Sequence, residues 1–276
     1  MAVAMGIPAL GHGPAPPDGD LRRIQDEFLT GLHHTIRNPI SGILGMADLL
    51  LETELDPRQT EYVAAARTCA EELLEHLNCA LRFSELAAGA SALEEFDFNL
   101  IETIESAAAP YVEKARAKGL RFSLVVEKTL PQAVFGDALR LREIISHLLG
   151  NAVKFTVAGE VELRAGAEMV LGGRFRLALS IRDTGIGIES DQSEAVFESF
   201  RQGEAGLVQR YPGLGLGLAL VRKLVSAMRG EVGLESEPGK GTVVAVSLPL
   251  RTSVEFAAVQ PKPVSSVRRI PERVLG

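Results

Sequence analysis

The chain has 276 residues, 46% apolar and 24% charged, an ordinary globular balance with material for one or two cored domains. Its formal net charge of −7 argues against non-specific nucleic-acid binding, and no apolar run reaches the roughly 18 residues that would cross a bilayer. The first twenty residues lack the basic start and long apolar stretch of a signal peptide, so the expected location is the cytoplasm.

Residues 1–19, with Pro14, Pro16 and Pro17 clustered among Gly and Ala, read as a flexible arm. From Asp20, the residues Phe28, Leu32, Ile36, Ile40, Ile43, Ala47 and Leu50 recur every three or four positions. That stripe predicts one helix to about residue 54, about 50 Å long. Asp56-Pro57 breaks it, and Pro57 suits the first turn of a second helix. There Val63, Ala66, Ala70, Leu73, Leu77 and Ala80 repeat close to a heptad. A lone two-helix hairpin cannot cover both stripes. The economical solution is a four-helix bundle made from two chains; the alternative is a hairpin that packs on its own C-terminal domain. Cys69 and Cys79, on one helix, would lie roughly 15 Å apart along its axis. A bridge needs Cα atoms within about 7 Å, so no intrachain disulfide is expected, and both read as small buried apolar residues.

After a hinge-like break at 89–91 the pattern mixes strands and helices. Strands are expected at 96–100, 121–127 and near Val134, with helices at 101–118, closed by Gly119, and from Asp137 as N-cap to about Val153. Hairpins follow at 160–167 with 174–183, turning at Gly172-Gly173, and at 231–236 with 242–248, turning at Pro238-Gly239-Lys240-Gly241. A helix is expected over 214–228 between them. This predicts an α/β layered domain with a mixed sheet, and a loose tail after Arg251.

The chemistry starts at His34. Neutral imidazole titrates near pH 6.5 and is already nucleophilic at pH 7. His34 lies off the stripe through Leu32, Ile36 and Ile40, so it can face solvent, and Asn38 follows one turn later on the same face. Pro39 lacks an N–H, so the Thr35 carbonyl loses its helical partner and a bend is expected there. His33 competes for the role by chemistry alone. In the second half, Asn151 ends a helical run with a carboxamide oxygen suited to magnesium. His147 stands one turn earlier, and Lys154 can reach a phosphate. Asp183 follows an apolar strand; its carboxylate can accept from an adenine amino group, while Gly185 and Gly187 let backbone approach a flat base. Gly213, Gly215 and Gly217 open a helix whose N–H groups can cradle phosphates. Residues 200–212 read as a lid over the nucleotide. No Walker motif occurs, and the glycine set lacks the βαβ setting of a Rossmann site.

Together these residues resemble the catalytic core of the two-component sensor histidine kinases. His34-Thr35-Ile36-Arg37-Asn38-Pro39 is similar to the H box, and that register picks His34 over His33 as phospho-acceptor. Asn151 to Thr156 resembles the N box, Asp183 to Gly187 the first glycine box, Phe197 to Phe200 the F box and Gly213 to Leu218 the second glycine box. Glu237 to Thr242 is similar to the family's last hairpin, which adds Thr242 to the nucleotide-binding set. The match runs in order from about 21 to 250. The resemblance implies an α+β chain: a dimerising phosphotransfer hairpin over 20–90 forming a dimeric four-helix bundle, then an α/β sandwich of Bergerat type that binds ATP over 91–250. It implies ATP and Mg2+ as cofactors, with Asn151 as metal ligand, and a response regulator receiver domain as partner. The arm and tail are too short for sensory and receiver domains. The signal is expected from a separate sensory or upstream partner, unless the chain is a piece of a longer sensor.

Two departures from the family pattern matter. Thr35 replaces the usual acid beside the histidine, and a hydroxyl cannot store a proton; a general base is typically worth about 10² to 10⁴ in rate, so slow autophosphorylation is expected. His147 stands where many members have Asn. Asn38 implies a second activity, since an amide there helps position water for dephosphorylating the regulator. The alternatives are a kinase-impaired phosphotransfer or phosphatase protein and a dimeric pseudokinase scaffold.

Overall fold

The computed structural model describes residues 18–87, 93–170, 174–189, 192, 195–198 and 215–253, with side chains described from 35 onward except at 87, 169 and 170. Residues 1–17 of the arm, the 200–212 lid, Gly213 and the tail after Ser253 lie outside the described residues, while 18 and 19, expected in the arm, already belong to the first helix. Contacts divide the chain into two compact units, one ending at Leu81 and one beginning at Arg82.

The first unit is helical. Helix α1 (Asp18–Leu51) runs through Pro39 without interruption, and α2 (Pro57–Ala87) follows a short turn. Asp56 and Gln59 fix the start of α2 as a reciprocal pair. The Asp56 carboxylate accepts from the N–H groups of Arg58 and Gln59 at 2.8 and 2.9 Å. The Gln59 side chain in turn accepts from Asp56 N at 3.0 Å. Ile40, Ala47, Ala70, Cys79 and Leu81 are buried, yet Ile43, Met46, Leu50, Tyr62 and Leu73 on the same hairpin are exposed. An apolar groove lined by Pro39, Ile43, Met46, Leu50, Tyr62 and Val63 runs along the hairpin. The two thiols are free. Cys79 is buried, and burial with Glu75 nearby pushes its pKa up to about 11. Cys69 corrects the sequence expectation: its turn of α2 points outward and the thiol is exposed.

The second unit is a two-layer α/β sandwich. In chain order it runs β1 (Phe96–Asn99), α3 (Leu100–Ala117), β2 (Arg121–Val126), β3 (Ala133–Gly136), α4 (Ala138–Phe155), β4 (Glu160–Val170), β5 (Arg174–Asp183), a 3-10 turn (Ala195–Phe197), α5 (Gly217–Ala227), β6 (Glu231–Glu237) and β7 (Gly241–Thr252). The sheet order is β1-β3-β7-β5-β4-β2. The outer edge of β7 is shared, with β6 along Gly241–Ser247 and β3 at Arg251 and Thr252. Only β2 and β4 pair in parallel; the other pairings are antiparallel, which makes the sheet mixed. Alternation sorts its faces: Phe175, Leu177, Leu179 and Ile181 of β5 point into the core with Val244, Val246, Leu248 and Leu250 of β7. The core is completed by the apolar stripes of α3, α4 and α5, among them Ile104, Leu141, Ile145, Leu148, Leu220 and Leu224.

The caps are local and strong. The Asn99 side chain accepts from Glu102 N. The buried Asp137 accepts from Arg140 N at 2.9 Å and from Glu94 N at 3.0 Å. Strands β4 and β7 run longer than the expected 160–167 and 242–248, and one helix start in this unit differs. Helix α5 begins at Gly217, not 214, because Gly215 takes φ +65°, outside right-handed helical space.

Candidate functional site

In the second unit, the end of α4 meets the start of α5 on one side and the loop after β5 on the other. Asn151 sits half-buried in the last turns of α4. A Cβ placed on Gly217 would lie 3.7 Å from its carboxamide nitrogen and 3.9 Å from its carboxamide oxygen. The second glycine set therefore meets the N-box helix through a residue without a side chain. Leu216, at the capping position of α5, supplies no side-chain hydrogen bond. The first turn's N–H groups thus have no side-chain acceptor from their own cap and present the positive end of the helix. His147, one turn before Asn151, is half-buried on α4. Lys154 lies with its ammonium 5.6 Å from the centre of the Phe155 ring.

Asp183 closes β5 and stands opposite Thr242 of β7. Its Oδ1 accepts from Gly185 N at 2.8 Å, and the Thr242 backbone also donates to it. Burial raises the carboxyl pKa above the ordinary value, against those two donors. A half-buried carboxylate at a loop of small residues suits an adenine amino group. The loop that follows is clasped by the last hairpin. Gly239 N donates to Ile186 O at 2.8 Å. Ile188 N donates to the Ser236 hydroxyl at 2.8 Å, and that hydroxyl donates to Gly241 O at 3.0 Å and lies 2.8 Å from the Thr242 hydroxyl. Glycine is required at both faces of this clasp. At Gly187, φ +71°, an added Cβ would sit 2.1 Å from Glu237 O; at Gly241, φ +106°, it would sit 2.0 Å from Asp183 O. The turn at 238–241, read from the sequence mainly as a tight hairpin, is thus also the strap that shapes the Asp183 loop. Ser236 was missed, because a lone serine in a strand carries no local signal.

The end of α4 is satisfied by distant groups as well. Ala152 O accepts from Thr156 N and its hydroxyl, the latter at 2.7 Å. Val153 O and Lys154 O accept from the Lys118 ammonium at 2.8 and 3.3 Å. Phe155 O accepts from Ile186 N at 3.4 Å. Burial, and then the nearby Lys154, lower the Lys118 pKa.

Asn151 meets Gly217 at the start of α5, with Gly215 two residues before it in the chain; His147 and Lys154 lie on α4 with Asn151; Asp183, Gly185, Gly187 and Thr242 gather at one loop; and Gly213 lies outside the described residues. In the first unit, Thr35 and Asn38 are exposed on α1. The α1 backbone includes His34, while its side chain lies outside what is described. Among the described residues no group of three or more His, Cys, Asp or Glu could hold a metal ion. A divalent ion would thus rely on the Asn151 carboxamide and on phosphate oxygens, a hard oxygen set that fits magnesium.

Comparison with known proteins agrees with both units. Residues 24–89 match the His Kinase A (phospho-acceptor) domain, and residues 136–252 match the histidine kinase-, DNA gyrase B- and HSP90-like ATPase domain. The chain is 39% identical over 228 residues to the sensor protein GacS of Pseudomonas syringae pv. syringae, covering 83% of this chain and 25% of that one. It is 36% identical over 220 residues to the signal transduction histidine-protein kinase BarA of Escherichia coli K12, covering 80% and 24%. Among solved structures, full-length ShkA in complex with AMPPNP aligns with TM-score 0.64 at 37% identity, over 83% of this chain and 46% of that one. The chain spans about a quarter of the length of the curated relatives it matches. No helix among the described residues is long and apolar enough to cross a membrane. With a phospho-acceptor domain and an ATPase domain in the family's order on one chain, this protein belongs to the two-component sensor histidine kinases.

Proposed function

We propose that the second unit binds ATP with magnesium and that the chain phosphorylates His34, then passes the phosphoryl group to an aspartate of a response regulator. The observation that carries this is the clasped Asp183 loop against the end of α4, the helix whose Asn151 meets the glycine-opened start of α5. In this reading the Asp183 carboxylate and Thr242 take the adenine edge, and the backbone of the glycine segments approaches the base and phosphates. Lys154 and the start of α5 balance phosphate charge, and magnesium held by Asn151 and the phosphates would offset the charge on the transferring group. The His34 imidazole lone pair attacks the γ-phosphorus. The bond to the β-bridging oxygen breaks and ADP leaves with that electron pair. The proton on the other ring nitrogen must then go to solvent, because the Thr35 hydroxyl cannot hold it. The exposed apolar groove of α1 and α2 supports a homodimer, since a second copy would remove Ile43, Met46, Leu50 and Tyr62 from water.

Incubation with γ-labelled ATP and magnesium tests the reading. An acid-labile, base-stable label that Asp183→Asn and His34→Gln both abolish is the expected result, and the absence of label with tight ATP binding would leave the kinase reading without support. Thr35 and the exposed Asn38 favour a second activity at the same helix, removal of phosphate from the regulator. Undiminished dephosphorylation by Asn38→Ala would refute that part.

A further inference from the structure

Helix α4 carries two of the candidate nucleotide ligands, Asn151 and Lys154, in its final turn and a half. A helix C-terminus carries about half a negative charge, which repels anions within its last turn. This one abuts the Asp183 loop: Phe155 O bonds Ile186 N, and an added Cβ on Gly185 would lie 2.6 Å from that same oxygen. A nucleotide whose base sits on this loop and whose phosphates reach Asn151 and Lys154 would carry its charge past the unfavourable end of that helix.

The last four carbonyls of α4 are all occupied, and by different kinds of donor. Those of Ala152 and Phe155 take neutral donors, Thr156 and the Ile186 amide. The middle pair, Val153 and Lys154, share one cation, Lys118, which belongs to the C-cap of α3 some 35 residues earlier. A neutral amide or a water would satisfy those two oxygens as hydrogen-bond acceptors. A second ammonium beside Lys154 adds like-charge repulsion, which an anionic ligand relieves.

We infer that Lys118 is a positioning residue for the triphosphate, its ammonium neutralising the C-terminal end of α4 so that Asn151 and Lys154 can be presented to an anion. The inference rests on the ATP reading above and adds to it a cation that need not touch the nucleotide. It assigns Lys118 to phosphate affinity and leaves adenine recognition to the Asp183 loop.

Calorimetric titration of the whole chain, in magnesium, with ATP, ADP and adenosine separates charge from architecture. Lys118→Arg keeps the cation; Lys118→Gln keeps a donor without charge; Lys118→Met removes both. The expected result is near-native binding by the Arg variant and roughly three- to tenfold weaker ATP binding by the Gln and Met variants. ADP should lose less and adenosine should stay within about twofold, because adenosine carries no charge for the helix end to repel. The inference is overturned if Lys118→Gln binds ATP as the wild type does, or if adenosine and ATP weaken equally. A wild-type chain that binds none of the three ligands would defeat the ATP reading itself, and this inference with it.

Discussion

Replacing Gly187 by alanine separates two costs that are usually entangled, backbone strain and collision. Gly187 has φ +71°, and its added Cβ would fall 2.1 Å from Glu237 O and 2.7 Å from Glu237 C, both backbone atoms of the last hairpin. Gly239, in the same hairpin, has φ +75° but nothing within 4 Å of an added Cβ. Gly233, in β6, has neither a positive φ nor a neighbour within 4 Å. Left-handed backbone costs an L-residue about 1–2 kcal/mol. Overpacking against atoms that cannot rotate away costs about 1–3 kcal/mol more. Gly233→Ala should stabilise slightly, by about 0.4–1 kcal/mol, through the unfolded chain. Gly239→Ala should lose about 1 kcal/mol once that entropy gain is deducted from the strain. Gly187→Ala should lose about 2–4 kcal/mol, the net Gly239 loss plus the collision, and most ATP binding, because the loop holding Asp183 must move off the hairpin. Urea unfolding of the three variants, with ATP titration on each, reads the series. A Gly187→Ala chain no less stable than Gly239→Ala would refute the clasp as the element that shapes the loop.

Asp183→Asn should separate stability from binding. Burial raises the Asp183 pKa, so the folded chain keeps its proton in a window above about pH 3.9 where the unfolded chain has lost it. Stability should therefore fall as pH rises through that window. Asp183→Asn should remove this dependence, leave neutral-pH stability equal or higher, and weaken ATP binding roughly ten- to hundredfold by losing a charge-assisted hydrogen bond; lower stability with intact binding would contradict the assignment. Thiol labelling at pH 8 should modify Cys69 rapidly and Cys79 only on unfolding, since a thiol with pKa about 11 is roughly a thousandth ionised there; two equally fast thiols would show that α2 is not buried along that face. Thr35→Glu should speed autophosphorylation by supplying a base, up to about 10² to 10⁴ where proton removal limits the rate; an unchanged rate would mean that Thr35 is not the limiting departure.

The parts legible in the sequence are those whose determinants lie within a few residues. Pro57 in a first turn and Asp137 as a cap before the α4 stripe declare themselves, and both stand at helix starts as expected. The antiparallel β4–β5 pairing runs from Val161 opposite Asp183 to Val170 opposite Arg174, as the two alternating runs predict, because a hairpin closes locally. The β2–β4 parallel pairing and the division of one edge of β7 between β6 and β3 were not legible, since they join segments far apart in the chain. The same separation hid Ser236, which serves a loop 48 residues earlier, and Lys118, whose acceptors lie 35 and 36 residues later. The motif residues themselves were legible because each glycine or acid has a local chemical reason. What the local signals could not show was the sheet register that brings Thr242 opposite Asp183. The misjudged start of α5 came from reading apolar residues as helix where Gly215 needs a positive φ.

The central claim is that ATP held by the second unit phosphorylates one particular imidazole in the first. Site-resolved mass spectrometry under alkaline conditions, after incubation with ATP and magnesium, tests it most directly. The account predicts phosphohistidine at His34 and not at the adjacent His33, in the wild type and not in Asp183→Asn. Phosphate at His33, on a hydroxyl side chain, or at undiminished level in Asp183→Asn would contradict it.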